Sequence, residues 1–327
     1  MIEAMKEDGQ MDSVKTGNAP LPSVTELLGA LDRAGVKYEI QSIDSEGSVQ
    51  ARTLLTVSGQ LGPGTGGIDF AGSLVVHGDI LGEIALRVKG SLTVRGNVED
   101  ADIQAGEDVT VAEGFVGRGK GRIAAGGNVT LHHLRNQTVS AGKDVLVELE
   151  AVNGNVNAAG RIYAPGAVIV GGVLRSDGDI VVRAIGSSDA LQTKVWAGRR
   201  GRILERLPLI EREIKQAESQ VGDINNAIYV LVRLQMDARK LDAAQQESFR
   251  KLQAVQKQLP ERIAVLKAEH HALQEDLKVN KEVTVTVRET VFENTMVDIN
   301  GSKKIVNAAL QGVIFRERNG AIEAVSC

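Results

Sequence analysis

The sequence has few residues of the types that mark several common classes of protein. Its single cysteine, Cys327, cannot form a disulfide within the chain. No apolar run is long enough to cross a membrane, and residues 1–8 lack the basic and apolar blocks of a secretory signal. We therefore expect a cytoplasmic protein with no integral membrane segment.

Neither sign of charge dominates, since the net charge is −4 over 327 residues. Such a chain has no overall attraction to nucleic acid or to an anionic membrane. Aromatic residues make up only 3% of the chain, and the loop that carries the cations Arg118, Lys120 and Arg122 contains none on which bases could stack. We therefore expect no nucleic-acid partner.

Glycine, in contrast, is abundant and marks an internal repeat. A glycine precedes a short apolar or alternating segment every 16 to 20 residues, in phrases that begin at Gly72, Gly90, Gly106, Gly126, Gly142, Gly160 and Gly178. Segments such as 109–111 and 145–147 have the pattern of a very short strand with one buried face. We expect glycine, with 36 residues in the chain, to supply the positive φ values that tight corners need.

Three apolar positions recur in most repeats and predict three short strands per coil. The first should stack in a single file along the centre of the fold, formed by Leu74, Leu92, Val109, Val129, Val145, Ile162 and Ile180. The second positions are Val98, Val116, Leu134, Val152 and Ile185, and the third are Ile103, Ile123, Val139 and Val156. Coils of about 18 residues without crossover helices predict a mainly β fold, a parallel β-helix of about seven coils whose narrow lumen excludes aromatic rings.

Short polar residues precede most of the first inward positions, as at Ser73, Asp108 and Asp144. Their side chains are suited to bonding the neighbouring backbone and fixing a corner. A ladder of calcium ligands is the alternative, but the glycine-rich nonapeptide spacing of calcium β-rolls is absent. We expect no metal and no cofactor.

A basic glycine loop at residues 117–122 offers backbone amides beside Arg118, Lys120 and Arg122. These groups could hold an anion, but the loop opens no helix and lacks the ending of a P-loop, so a solvated corner is the competing interpretation. An enzymatic interpretation, with a polysaccharide lyase as the example, would use Glu99, Asp100 and Asp102 together with a basic residue. His132 and His133 are adjacent on a strand, so they should face opposite ways and form a poor catalytic or metal pair.

After Trp196 the apolar period changes to about three and a half, which is typical of a coiled coil. The predicted seam comprises Leu207, Ile210, Ile214, Val221, Ile224, Ile228 and Leu231 in one helix, and Leu252, Leu259, Ile263, Leu266, Leu273 and Leu277 in a second. We predict an antiparallel hairpin, with Gln256 and His270 fixing the register and Pro260 kinking the second arm.

The chain is thus predicted to have five parts. Residues 1–20 are expected to be disordered, and 21–58 to form a small region with a helix over about 24–34 and a strand over 36–43. The β-helix should cover 59–198 and the coiled-coil hairpin 199–282. A C-terminal β segment, 283–327, should cap an open end of the solenoid.

The repeated phrases also resemble those of a known family. Gly96-Asn97-Val98, Ala125-Gly-Gly-Asn-Val129 and the loop Gly117-Arg-Gly-Lys-Gly-Arg122 are similar to the glycine phrases of the flagellar assembly protein A family. The order of solenoid, coiled coil and closing strands is similar too.

This resemblance implies a right-handed solenoid and a non-enzymatic cytoplasmic role in bacterial flagellar assembly, with recruitment to a cell pole. It also implies flagellar or polar proteins as partners, and the exposed strand edges and seams predict a homo-oligomer. A polymer-forming, cell-division-type β-helix protein is the alternative, followed by a solenoid enzyme acting on polysaccharide.

Overall fold

The structure is a computed structural model that describes residues 52–327 except 190, 237–242 and 279–281. Before residue 52 it describes only 3–5, 11–13, 29, 31 and 38–43. The predicted helix over about 24–34 lies mostly outside the described residues. Two short strands, Glu3–Met5 and Met11–Ser13, pair within the first 20 residues, where the sequence predicted no regular structure.

The chain divides into two compact units, and the first of them is built from β-strands. It comprises residues 1–199 and 282–327, and the second comprises residues 200–281. The prediction of a mainly β solenoid with a helical hairpin and C-terminal strands is confirmed.

Two long sheets form the solenoid. Sheet 1 has 13 strands: Tyr38–Ile43, Arg52–Val57, Ser73–Val76, Leu92–Val94, Val98–Glu99, Val109–Val116, Val129–Arg135, Val145–Val152, Ile162–Val170, Ile180–Ile185, Thr284–Val291, Leu310–Arg318 and Ala321–Ser326. Sheet 2 has ten strands: Ile68–Phe70, Ala85–Val88, Asp102–Ala105, Arg122–Ala125, Thr138–Ala141, Asn155–Ala158, Val173–Ser176, Thr193–Ala197, Thr295–Ile299 and Ser302–Val306. A 3-10 helix, Pro63–Thr65, precedes the first strand of sheet 2.

Side chains from sheet 1 fill the lumen in register. One file, in which each residue pairs with the next, runs Leu55, Leu74, Leu92, Val109, Val129, Val145, Ile162, Ile180 and Val285. All nine side chains are almost completely buried. Because alternate residues of a strand point to opposite faces, keeping this register keeps every coil's apolar face inside.

The second apolar positions are partly different from the prediction. The buried residues that pair with Val98 and Leu134 are Phe115 and Ala151, and the predicted Val116 and Val152 lie one position further along, on the outer face. Phe115 is in phase with Val109 and Ala151 with Val145, so strand alternation alone places them inside. Leu134 is out of phase with Val129, and a register shift within its strand brings it inside.

The lumen also accepts an aromatic ring, contrary to the prediction. Phe115 is fully buried, and its ring lies against Gly121, where a Cβ would come within 2.7 Å of the ring. The coil that contains Phe115 is the longest of the repeats, so its basic glycine loop makes room for the larger side chain.

The solenoid continues directly after the helical insertion. Strand Thr284–Val291 pairs in parallel with Ile180–Ile185, and Thr295–Ile299 pairs in parallel with Thr193–Ala197. Residues 284–299 therefore form one more coil. The last three strands, Ser302–Val306, Leu310–Arg318 and Ala321–Ser326, run antiparallel and close this end.

Two helices, Arg200–Met236 and Ala243–Lys278, form the second unit. Their side-chain bonds establish an antiparallel arrangement. Arg206 Nε donates to Glu269 Oε1 at 3.1 Å, and Gln256 Nε2 donates to Asn225 Oδ1 at 2.7 Å. The second helix continues through Pro260.

Candidate functional site

One row of short polar side chains fixes a corner in successive coils. In each case a side-chain oxygen accepts a hydrogen bond from the backbone N–H of the matching residue in the next coil. The acceptor-to-donor distances are 3.1 Å from Ser73 to Ser91, 2.6 Å from Asp108 to Asn128, 3.2 Å from Asn128 to Asp144, 2.7 Å from Asp144 to Arg161 and 2.8 Å from Asp179 to Thr284. This polar row therefore satisfies the backbone, as the sequence predicted.

Several glycines make room for this polar row. Gly90, Gly127 and Gly160 each stand directly before one of the N–H donors. A Cβ on any of them would overlap the side-chain oxygen that the donor bonds, from the preceding coil. The recurring sequence motif of a glycine followed by a polar residue therefore reflects the close approach of two coils.

Glycine supplies positive φ values at corners of the solenoid, as predicted, for example at Gly171, Gly172 and Gly186. The seven glycines that begin the repeats are not among them, since none of the seven has a φ in the left-handed region. Residues other than glycine are left-handed as well, among them Asp100, Asn136 and Asn153, which have φ values of 45°, 58° and 51°. Asn and Asp tolerate this conformation because their short polar side chains can bond locally.

The basic glycine loop closes around an internal carboxylate. Asp100 accepts hydrogen bonds from the backbone N–H of Arg118 at 3.0 Å and of Lys120 at 3.2 Å, and from Gln137 Nε2 at 2.7 Å. Gln137 Oε1 in turn accepts the Gly121 N–H at 2.7 Å. The amides that the sequence suggested for an external anion are therefore engaged by Asp100 itself.

The three cations of the loop point outward. Arg118, Lys120 and Arg122 are all exposed, and the Lys120 ammonium forms an ion pair with Glu83, two coils away. An exposed pair of this kind contributes little to stability, so the Asp100 hydrogen bonds are the main local constraint on the loop.

The Asp100 interactions predict a pH-dependent contribution to stability. Burial opposes the charge, but hydrogen bonds from Gln137, Arg118 and Lys120 and the Lys120 charge outweigh it and hold the pKa of Asp100 below its ordinary value. The carboxylate is therefore more acidic in the folded chain than in the unfolded chain, where its pKa is about 3.9. Its stabilisation is present above about pH 4 and is lost as the pH falls through the lower, folded value.

We therefore expect Asp100→Asn to lower the free energy of unfolding by about 1 kcal/mol at neutral pH. Thermal unfolding followed from pH 7 down to pH 3 should show the wild type and the variant converging in acid. Asp102→Asn, two residues away, is the matched control and should follow the wild type throughout. A constant difference across the whole range would mean that the Asp100 charge is not responsible.

The carboxylates of the enzymatic interpretation do not share one face. Glu99 ends a strand of sheet 1, Asp102 begins a strand of sheet 2, and Asp100 lies at the corner between them inside the glycine loop. Within the described residues, no group of three or more His, Cys, Asp and Glu side chains is placed to hold a metal ion. This geometry does not support a lyase site at these residues.

His132 and His133 do not face opposite ways, in contrast to the prediction. Both lie outside the lumen, between the buried residues Leu131 and Leu134, because the strand register shifts at this point. Their ring centroids are 6.0 Å apart and the rings meet edge to face. His132 Nδ1 lies 3.0 Å from Glu148 Oε2, so this side chain is engaged by the next coil.

In the helical hairpin, the predicted seam positions are less exposed than most of the residues between them. Ile210, Leu259 and Leu266 are buried, and the other ten predicted seam residues are partly buried. The two polar seam residues have partners: Gln256 bonds Asn225, and His270 Nε2 lies 3.3 Å from Glu211 Oε1. Such pairs are suited to fixing the register of a coiled coil.

A part of the hairpin that we call the distal segment, residues 223–234, 236 and 244–257, differs from the rest. Tyr229, Val230 and Met236 lie outside the seam and are more than half exposed, and Val232 is exposed as well. The sequence analysis counted only seam positions and missed this surface. The apolar run Ala227-Ile-Tyr-Val-Leu-Val232 is the signal that could have identified it.

Comparison with known proteins identifies the family of this chain. The family model of the flagellar assembly protein A β-solenoid domain matches residues 53–322. No curated protein and no solved structure matches the chain. In the described residues no helix is long and apolar enough to span a membrane. The family model covers most of the chain, including all of sheet 2, most of sheet 1 and the helical hairpin, and the chain therefore belongs to the flagellar assembly protein A family.

Proposed function

We propose that this protein is a non-enzymatic scaffold in bacterial flagellar assembly. The family match supports the flagellar role. The observation that carries the scaffold role is the use of the polar corner residues: Asp108, Asp144 and Asp179 bond the backbone of the next coil, and Asp100 bonds the glycine loop of the next coil. Side chains committed in this way stabilise the solenoid and are not available for chemistry.

In this proposal the protein acts in the cytoplasm, at a cell pole, where it binds flagellar or polar proteins. The solenoid supplies a fixed platform, since each coil is bonded to the next along both sheets. The helical hairpin, residues 200–281, supplies a separate binding element, because long helices with polar outer faces present surface for contact and no catalytic group.

Self-association is also part of the proposal, and the antiparallel end of the solenoid is an unfavourable place for it. The edge strand Ser302–Val306 carries Lys303 and Lys304, and Lys304 Nζ donates to the backbone oxygen of Ile322 at 3.3 Å. Lysines on an edge strand oppose the addition of a further strand. End-to-end polymerisation through this edge, as in the alternative of a polymer-forming protein, is therefore disfavoured.

The outer face of sheet 1 is a better candidate for self-association. Leu146, Tyr163 and Val181 pair in one row on this face, and Tyr163 is 43% exposed. An apolar row on an otherwise polar face is typical of a surface that another molecule covers. Sedimentation velocity should show a dimer or larger species that Tyr163→Ser converts to the monomer.

The flagellar role is tested in cells of the source organism. A strain without the protein should lose or misplace its flagella, and the full chain should restore them. A chain in which a short Gly/Ser linker replaces residues 203–278 should fold, by its circular dichroism, yet fail to restore flagella. Normal flagella in the strain without the protein would refute the proposed function.

A further inference from the structure

The distal segment of the hairpin presents more apolar surface than its partner helix can cover. A helix in a two-helix hairpin usually shows one apolar stripe. Here the first helix is apolar on several sides at its end, where Tyr229 and Met236 are 64% and 81% exposed. Elsewhere in the hairpin the described residues outside the seam are mostly polar.

These extra apolar residues form two ridges beside the seam. Tyr229, Val232 and Met236 are separated by three and four residues, so they lie along one flank of the first helix. Ala227, Val230 and Leu234, again separated by three and four residues, lie along the other flank. This spacing is the one by which a helix receives the side chains of a further helix packed against it.

The charges around the ridges have one predominant sign. Arg233, Arg250 and Lys257 are exposed, and in the described part of the hairpin none of them forms an ion pair. Lys251 pairs with Glu247 at 3.3 Å, which leaves Asp223 as the remaining acidic residue of the distal segment. The rest of the hairpin has equal numbers of basic and acidic residues in its described part.

We propose that the distal segment docks an amphipathic helix of a partner protein, with Asp or Glu residues flanking an apolar stripe. The inference rests on the proposed scaffold function and specifies the chemistry of its partner. An acidic helix complements both the 3-4 spacing of the ridges and the exposed cations beside them. A second copy of the distal segment would instead bring like charges together.

Two labelled peptides test this with the full chain. Each has three heptads with Leu at the a and d positions; one carries Glu at the flanking e and g positions and the other carries Lys. Fluorescence anisotropy should show that the Glu peptide binds at least about tenfold more tightly than the Lys peptide. The preference should weaken as salt is added, because the flanking cations are exposed.

Variants locate the binding surface. Tyr229→Ser combined with Val232→Ser should weaken Glu-peptide binding about tenfold or more, and Arg250→Glu combined with Lys257→Glu should reverse the preference between the peptides. The matched controls lie outside the distal segment: Val265→Ser for the apolar change, and Arg212→Glu with Lys215→Glu for the charge change. Both controls should bind as the wild type does.

Three results would overturn the inference. The first is equal binding of both peptides, and the second is equal loss of binding in the control variants. The third is a wild-type chain that does not bind the Glu peptide. If that chain co-sediments with phosphatidylglycerol vesicles, the surface faces a membrane. If the Tyr229 and Val232 variant is monomeric where the wild type is not, the surface faces a second copy.

The proposed function can survive such a failure. One such outcome is that the Arg250 and Lys257 variant restores normal flagella in the strain without the protein where the linker-replaced chain does not. In that case the hairpin is needed for the function, but the charges of its distal segment are not. If neither the strain nor any variant has a flagellar defect, the scaffold function itself is refuted.

Discussion

Val109→Asp should lower the free energy of unfolding by about 3–5 kcal/mol, because it places an unpaired carboxylate inside the solenoid. The Val109 side chain is fully buried and lies in the lumen file between Leu92 and Val129. Its immediate neighbours in the file are aliphatic and offer no hydrogen bond to a charge. Thermal unfolding followed by circular dichroism should show a midpoint lower by about 10 °C.

The control for this variant is the next residue. Thr110 pairs with Thr93 and Thr130 on the outer face of the same strand and is only partly buried. We expect Thr110→Asp to change the free energy of unfolding by less than about 1 kcal/mol, since its carboxylate reaches water. Equal destabilisation by the two variants would contradict the assignment of inner and outer faces.

The first lumen file could be predicted from the sequence because strand alternation is strictly local. Each short strand carries its own inward position, as Val109 and Val145 do, and the repeat places these positions above one another. The second file was less predictable. Val116 is apolar, yet it is out of phase with Val109, so strand alternation places it outside and Phe115 inside. In the next coil a register shift brings Leu134 inside, and no residue pattern in the sequence marks that shift.

The seam of the hairpin could also be predicted from the sequence, because spacings of three and four residues identify one face of each helix. The distal ridges were not identified by that analysis. A heptad assignment asks which residues meet the partner helix, and Tyr229 and Val232 fall outside the positions that it examines. Their exposure is evident only when the coverage of each side chain by the second helix is known.

The role of the repeat glycines also depends on a distance that the sequence does not contain. Gly106, Gly126 and Gly142 begin successive repeats, and a corner suggests positive φ. In the structure their φ values lie outside the left-handed region, and the constraint comes from the coil before each of them. The spacing between two coils follows from strand pairing, which fixes it at about 4.8 Å.

Gly126→Ala should therefore destabilise the solenoid strongly, although its backbone conformation suits alanine. A Cβ on Gly126 would overlap the backbone carbonyl oxygen of Gly106, and a backbone atom cannot rotate away as a side chain can. Gly126 N–H also donates to the Ala105 oxygen at 2.9 Å, so moving the corner weakens the bonds between coils. We expect a loss of about 2–3 kcal/mol in the free energy of unfolding.

Alanine substitutions at two other glycines serve as comparisons for Gly126→Ala. A Cβ on Gly127 would meet the Asp108 carboxylate, a mobile group, so Gly127→Ala should cost less than Gly126→Ala, mainly through the lost Asp108 to Asn128 hydrogen bond. Gly64 has no atom within 4 Å of such a Cβ, and Gly64→Ala should leave stability unchanged or raise it by about 0.5 kcal/mol. Denaturant unfolding of the three variants should give the order Gly126, Gly127, Gly64 from most to least destabilised. The same small change at all three positions would show that the coils have more room at this corner than backbone contact allows.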